Sequence, residues 1–267
     1  MSKMMLSPGE IADATVNAGK TKCAKSIYNL FILGILAGMF IAFGAVGAIV
    51  IWSLSTLPAI GKFLGAAIFP VGIMFVVLAG SELFTGNSLM TLGMFKGEYK
   101  VRYVMKNWSI VYLGNFVGSI LLAFLIYKSN LWGANGTANV IGAKAIAIAE
   151  GKVGLSFSAA LYRGILCNMV VVLAIWISSS SKDVIGKIFA LWFPITLFVL
   201  SGYEHSIANM FFISVGMFMG GDVTWSTMFM NNLLPVTIGN IIGGAVVIPG
   251  LYCAIFGKKN KNKDKDK

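Results

Sequence analysis

Long stretches without charged residues most strongly limit what this chain can fold into. Each of six stretches is near or above the length of about 20 residues that a helix needs to cross a bilayer: 26–61, 63–81, 107–127, 164–181, 188–203 and 223–257. Charged residues make up 12% of the chain, about half the share usual in soluble domains. The pattern predicts an all-α integral membrane protein with six transmembrane helices.

The basic residues are distributed unequally between the predicted loops. If both termini are cytoplasmic, most of the 21 Lys and Arg residues lie on the cytoplasmic side, as the positive-inside rule requires. Membrane topology thus accounts for the net charge of +11, and nucleic acid is not expected as a partner. We expect the protein to be in the cell membrane, surrounded by the lipid bilayer.

Three segments follow from this topology. Residues 1–25 form a cytoplasmic amphipathic segment, in which Ser7 and Pro8 predict the start of a helix that continues to about Gly19. Residues 26–257 form the six-helix transmembrane domain. Residues 258–267 form a basic cytoplasmic tail.

The two halves of the chain carry the same markers in the same order. The paired markers are Gly34-Ile35-Leu36 and Gly164-Ile165-Leu166, Phe69-Pro70 and Phe193-Pro194, Glu82 with Asn87 and Glu204 with Asn209, and Gly114-Asn115-x-x-Gly118 and Gly239-Asn240-x-x-Gly243. Each half holds three predicted spans, so the second copy enters the membrane from the opposite side. Such an inverted repeat places a site at the bilayer midplane.

Polar residues interrupt the second and the fifth predicted span. Residues 81–88 follow the apolar run that ends at Gly80, and residues 201–206 follow Leu200. Unwound backbone at membrane depth survives only where it is buried in protein or lines a cavity. The two breaks therefore predict a pore or a carrier site between them.

His205 is the only histidine of the chain and lies in the second break. An ionisable group deep in a span indicates function, and an imidazole can share a proton with an arriving anion. The alternative is a neutral histidine hydrogen-bonded between packed helices. We interpret Glu82 and Glu204 as acceptors for free backbone N–H groups of the breaks, and Thr85 as a contact of the permeant.

Other polar and aromatic residues have two interpretations each. Asn168 and Asn240 either orient His205 and the breaks or form hydrogen bonds between helices. Lys152 either attracts anions into a vestibule or lies at the membrane interface. Phe69 and Phe198 flank the breaks and are candidate apolar gates.

The sequence predicts no enzyme, no metal site and no cofactor. His205 has no Cys or carboxylate at metal-ligand spacing, and neither a G-x-S-x-G motif nor a phosphate loop is present. Two other classes stay open. A membrane-embedded enzyme would need a second catalytic partner for His205, and a water- or glycerol-type channel usually carries paired Asn-Pro-Ala breaks, which this sequence lacks.

Four stretches carry a resemblance to a known family. They are Glu82–Thr85, Arg163–Met169, Glu204–Met210 and Pro235–Asn240, and together they resemble the formate/nitrite transporter family. The resemblance runs from about Pro8 to Gly257. It implies an aquaporin-like fold with one pore in each protomer and a homopentamer, and we expect Gly44, Gly47 and Gly118 to pack between protomers.

The resemblance also implies roles for individual residues. They are the central pore (His205, Thr85, Asn168, Glu204), an inner constriction (Phe69, Ile73, Leu83), an outer constriction (Val171, Phe198), a vestibule (Lys152) and support of the helix breaks (Glu82, Asn87, Asn209, Asn240).

The implied function is a channel for small monovalent weak-acid anions. Gly86-Asn87 after Thr85 departs from the formate-channel pattern and resembles the hydrosulfide-channel branch, so hydrosulfide is the expected substrate, with formate and nitrite also permeant. The alternatives are a proton-coupled carrier of formate or nitrite and a neutral-solute channel. In the implied mechanism, the anion shares a proton with His205, because crossing an apolar constriction as a bare ion costs several kcal/mol.

Overall fold

The computed structural model describes residues 5–134 and 136–256, so the predicted tail 258–267 lies outside the described residues. Within these ranges the chain is mainly helical, with one short antiparallel hairpin, β1 (Gly133–Ala134) with β2 (Thr137–Ala138), and an isolated bridge between Met5 and Ser181. The helices are α1 (Pro8–Ala24), α2 (Ile27–Leu54), α3 (Pro58–Ile68), α4 (Val71–Phe75), α5 (Phe84–Asn87), α6 (Met90–Phe95), α7 (Val101–Lys128), α8 (Val140–Val153), α9 (Phe157–Ser180), α10 (Val184–Leu200), α11 (Ser206–Phe218), α12 (Trp225–Thr227), α13 (Leu234–Ile241) and α14 (Ile248–Phe256), with π-helical turns at Val76–Gly80, Met228–Leu233 and Ile242–Val247.

Five helical stretches are long and apolar enough to cross a membrane: Ile27–Leu54, Pro58–Gly80, Val101–Lys128, Phe157–Ser180 and Trp225–Phe256. The fifth of the six predicted spans differs from this pattern. It is divided into α10 and α11, both apolar but shorter, because residues 201–205 leave the helical conformation.

Helix α1 begins where the sequence predicts it. Ser7 is the N-cap and Pro8 the first helical residue, and the Glu10 carboxylate accepts a hydrogen bond of 2.7 Å from the Ser7 backbone N–H. The helix continues to Ala24, beyond the predicted end at Gly19. Ile11 and Val16 are buried in a cluster with Trp176 of α9, so α1 is packed onto the helical body.

Small residues let the long helices approach closely. A methyl group on Gly118 of α7 would clash with the Ile35 carbonyl of α2, and one on Gly243 would clash with the Ile165 carbonyl of α9. Helix packing in membranes favours such contacts. The prediction that Gly44, Gly47 and Gly118 pack between protomers is wrong, because a side chain there would meet Phe69, Ile68 and Ile35 of the same chain.

The β-hairpin and α8 connect α7 to α9, and the pattern of uncharged stretches does not predict them. Helix α8 packs on α11, where Gly216 lies against Ala145 and Ala149. Its last turn carries Lys152. Helices α1 and α8 thus hold comparable positions, each preceding the first long helix of its half of the chain.

Candidate functional site

The first helix break lies between the π-helical turn and α5. Gly80 ends the turn with a φ of +85°, a conformation that residues with a side chain rarely adopt. Ser81 and Leu83 are extended, and α5 begins at Phe84. The non-helical residues 81–83 are thus among the polar residues 81–88.

The second break lies between α10 and α11. Gly202 has a φ of +73°, His205 is extended, and α11 begins at Ser206. The non-helical residues 201–205 are thus among the residues 201–206 that follow Leu200. In both breaks a glycine turns the chain, and a few extended residues then lead into a buried helix start.

One asparagine closes each break. Asn115 Oδ1 accepts from the Phe84 N–H (3.0 Å), and its Nδ2 donates to the Gly34 and Glu82 carbonyls (2.8 and 3.0 Å). Asn240 makes the same three bonds in the other half, with the partners at matching positions: the Ser206 N–H (2.9 Å), the Gly164 carbonyl (2.8 Å) and the Glu204 carbonyl (3.0 Å). A break exposes both donors and acceptors, and an amide side chain satisfies both.

The buried carboxylates have a different role from the predicted one. Glu82 accepts 2.7 Å hydrogen bonds from Lys22 and from the Asn87 amide. Glu204 accepts from Lys152, whose Nζ lies 3.0 Å from both carboxylate oxygens, and from the Asn209 amide. The interpretation that Glu82 and Glu204 accept from free backbone N–H groups is wrong. Their partners are lysines and amides, because a buried carboxylate needs a counter-charge.

Two further asparagines extend these networks. Asn87 donates to Asn107 (2.8 Å), and Asn209 donates to Asn232 (2.7 Å). Asn232 in turn donates to the backbone carbonyl of Lys152 (2.9 Å). Each carboxylate is thus held in a chain of buried amides.

These networks contain four residues that are missing from the predicted site: Lys22, Asn107, Asn115 and Asn232. The internal repeat contains the signal for them. Lys22 precedes Gly34 by twelve residues, as Lys152 precedes Gly164, and Asn107 precedes Gly114 by seven, as Asn232 precedes Gly239. Asn115 itself lies in a repeat marker. Alignment of the two halves therefore finds all four residues.

The two breaks meet at Thr85 and His205. Thr85 Oγ1 lies 2.8 Å from His205 Nε2, and both side chains are buried. His205 Nδ1 accepts from the Ala208 backbone N–H (3.1 Å) and so caps α11. The ring proton of a neutral His205 consequently lies on Nε2 and is donated to Thr85. The Thr85 hydroxyl proton is then free to be donated to another acceptor.

A cavity of about 170 Å³, here called the Lys152 pocket, opens beside this contact. His205, Lys152 and Glu204 line it together with three phenylalanines, Phe69, Phe198 and Phe212. The Phe69 and Phe198 rings pack edge to face with centroids 5.7 Å apart. The lining of the pocket therefore combines an ion pair and a histidine with apolar aromatic side chains.

A second cavity of about 100 Å³, the Lys22 pocket, lies beside the other break. It is lined by Lys22 and other residues of α1, by Gly86 and Asn87, and by Ile175 of α9. Gly86 and Asn87 follow Thr85 directly. His205 thus lines the Lys152 pocket, and its partner Thr85 is next in sequence to two residues of the Lys22 pocket.

The prediction that Phe69 and Phe198 belong to different constrictions is wrong. Phe69, assigned to the inner constriction with Ile73 and Leu83, lines the Lys152 pocket together with Phe198. Val171, assigned to the outer constriction, lies one turn before Ile175 of the Lys22 pocket. The position of Val171 follows from the direction of α9. This helix passes the second break at Arg163, whose carbonyl accepts from the Glu204 N–H, and continues towards the Lys22 pocket.

Asn168 supports the site without touching the histidine. Its Nδ2 donates to the Asn240 carbonyl (2.7 Å) and to Ser88 Oγ (3.1 Å). It therefore joins the segment after the first break to the helix that closes the second. Of the two interpretations of Asn168, these bonds fit the hydrogen bonding between helices, since neither of them goes to His205.

Comparison with known proteins identifies a family that this chain matches. The family model described as "Formate/nitrite transporter" matches residues 9–254. The chain is 42% identical to the "Probable formate transporter" of Methanothermobacter thermautotrophicus over 97% of this chain and 100% of that protein. It is 38% identical to "Formate channel BtFdhC" of Bacillus thuringiensis over 96% of this chain and 97% of that protein. The fold is similar to a solved "Pentameric formate channel with formate bound", with a TM-score of 0.77, 32% identity and coverage of 87% of this chain and 98% of that one.

The asparagine that closes the second break should be essential for stability. Asn240→Leu keeps the volume but leaves the Ser206 N–H and two carbonyls without their partner, at about 1–3 kcal/mol for each buried group. We expect a clear loss of thermal stability in detergent, measured by intrinsic fluorescence. The matched control is Asn231→Leu, since Asn231 is exposed and its replacement should change stability by less than about 0.5 kcal/mol. Equal effects of the two changes would contradict the role of Asn240.

Proposed function

Since the chain belongs to the formate/nitrite transporter family, we propose that it lets formate cross the membrane through the two pockets and past Thr85 and His205. Members of this family are channels and transporters, so the protein is a multi-pass integral membrane protein and not an enzyme. Several relatives are named formate channels. Formate is therefore the first substrate of the proposal.

The contact between Thr85 and His205 is the observation that carries the proposal. A carboxylate in an apolar passage loses its hydration, and hydrogen-bond donors must replace it. The Nε2–H of His205 and the hydroxyl of Thr85 are two donors 2.8 Å apart at the meeting point of the breaks. A small anion can accept from the free Thr85 hydroxyl proton, and from the Nε2–H as well once that group turns from Thr85 to the anion, whereas sulfate or phosphate carries more charge and is larger.

The Nδ1 bond of His205 limits how a proton can be transferred. Full transfer to the anion requires an imidazolium, in which both ring nitrogens carry protons. Nδ1 accepts from Ala208 N–H, so protonation there breaks the cap of α11. We propose that the neutral ring stabilises the anion by hydrogen bonding. Transfer of a proton, the step of a proton-coupled carrier, first requires release of Nδ1.

Hydrosulfide and nitrite are proposed as further permeants. The support for hydrosulfide is the Gly86-Asn87 pair after Thr85. In the structure the Asn87 amide is committed to Glu82 and Asn107, so it supports the break and does not select anions. The pair therefore gives no reason to rank hydrosulfide above formate.

The matching bonds of Asn115 and Asn240 also support a proposal for the topology. We propose an inverted three-plus-three repeat of the aquaporin-like type, in which α10 and α11 together make the fifth of six spans. Both termini are then cytoplasmic, in the cell membrane, and residues 26–257 form the channel domain. The Lys22 pocket faces the cytoplasm, and Lys152 stands in the outer vestibule.

The substrate proposal is tested by flux into proteoliposomes. Labelled formate, nitrite, hydrosulfide, sulfate and glycerol are offered separately to vesicles with and without the protein. We expect uptake of the three monovalent anions, with formate at least as fast as hydrosulfide, and none of sulfate. Glycerol uptake without formate uptake would show a neutral-solute channel instead.

His205→Asn should remove any part of the pH dependence of formate flux that comes from protonation of a released Nδ1, and it should change selectivity between anions. The asparagine retains hydrogen bonding but does not titrate, so flux need not stop. The measurement is initial flux from pH 5 to 8 in proteoliposomes. A pH profile and a selectivity identical to those of the wild type would make His205 a packing residue. The contrasting variant is Glu204→Gln, which leaves buried Lys152 without its counter-charge and should impair folding.

We also propose a homopentamer, supported by the similarity to a pentameric formate channel. Apolar side chains exposed on the helices that would face lipid or a neighbouring protomer include Phe193 and Leu197. Native mass spectrometry of the purified protein should show five chains. A stable monomer or trimer would contradict the proposal.

A further inference from the structure

A wide cavity of about 570 Å³ lies next to the Lys152 pocket. The two share Trp52 and Val199 as lining residues, and the Trp52 ring stacks on Phe212, whose own ring faces Lys152. The walls are therefore continuous. An anion that reaches the Lys152 pocket from this side passes through the wide cavity.

Two lysines from different elements line the wide cavity. Lys62 belongs to α3 and Lys144 to α8, and the cavity lining contains no carboxylate. Within residues 5–134 and 136–256, neither lysine forms an ion pair. Glu150, also on α8, is directed elsewhere and accepts from the Asp222 backbone N–H (3.1 Å). The wide cavity thus has an uncompensated positive charge.

Compared with Lys62 and Lys144, Lys152 attracts anions from solution only weakly. Its ammonium lies 3.0 Å from both oxygens of Glu204, and its side chain is only 16% exposed. At such distances the two charges largely cancel for an anion approaching from solution. The attraction of anions, which the sequence assigns to Lys152, is therefore better placed on residues further out.

We propose that Lys62 and Lys144 form an anion-collecting site, which holds a small monovalent anion in the wide cavity before it enters the Lys152 pocket. The inference rests on the proposed function, because it takes the permeant as the ligand. A concave surface of one charge sign focuses the field and raises the local concentration of counter-ions. Formate carries the single negative charge that two lysines in such a cavity attract, and it is released readily because it forms no fixed ion pair there.

The test is formate entry in membrane vesicles of both orientations, at a formate concentration well below saturation. In vesicles that expose the Lys152 side, the double variant Lys62→Gln/Lys144→Gln should lower initial uptake by about threefold to tenfold at about 0.01 M salt. At about 1 M salt, where the screening length is about 3 Å, the difference should disappear. Uptake in vesicles of the opposite orientation should change little.

Two control variants separate charge from structure. Lys62→Arg/Lys144→Arg retains both charges and should retain uptake. Lys128→Gln removes a lysine that lies over the Phe124 and Tyr127 rings and lines a different cavity, so it should have no effect. Equal low-salt uptake by the wild type and the glutamine double variant would overturn the inference.

A comparison between vesicles of neutral and anionic lipid tests whether Lys62 and Lys144 bind an anionic lipid headgroup instead. Purified wild type and double variant are compared in vesicles of neutral lipid, where the salt-dependent difference should persist. A difference seen only with anionic lipid would overturn the proposal. Absence of formate uptake in the wild type at every salt concentration would overturn the proposed function itself, and this inference with it.

Discussion

The structure depends on one constraint, which is that backbone N–H and C=O groups at membrane depth must find partners within the protein. A continuous helix meets the constraint by itself, but a helix break does not. This chain breaks two helices and satisfies both breaks with the same side chain, Asn115 in one half and Asn240 in the other. Asn115 of α7 also bonds to α2, and Asn240 of α13 also bonds to α9. Closure of the breaks therefore also fixes how these helices pack.

The charged groups follow from the same constraint. Each break carries a buried glutamate, and each glutamate has a lysine delivered by a peripheral helix, Lys22 from α1 and Lys152 from α8. The two charges of each ion pair largely cancel, so in the proposed mechanism the two donors at the meeting point, Thr85 and His205, receive the anion without a strong unpaired charge beside them. A site of this kind binds a small anion through hydrogen bonds weak enough to release it, which conduction requires.

Much of the site follows from the sequence, since the breaks are marked by polar residues within uncharged stretches and the repeat marks their supports. The partner of Glu82 could have been found from the spacing of Lys22 alone. The sequence does not show which helices pack against each other or in which direction each one passes the site. The side of the site on which Val171 lies depends on the direction of α9, and the partners of Gly44 and Gly118 depend on helix pairing. Helix α8 carries three charged residues, so a search for uncharged stretches treats its sequence as a loop, although it forms a packed helix.

An experimental structure of the protein with formate bound at neutral pH is the most direct test of the proposed site. We expect density for the anion within hydrogen-bond distance of both His205 Nε2 and Thr85 Oγ1, with His205 Nδ1 still bonded to the Ala208 N–H. Formate bound elsewhere in the passage, with the Thr85–His205 contact intact and unoccupied, would contradict the central claim that these two side chains receive the permeant.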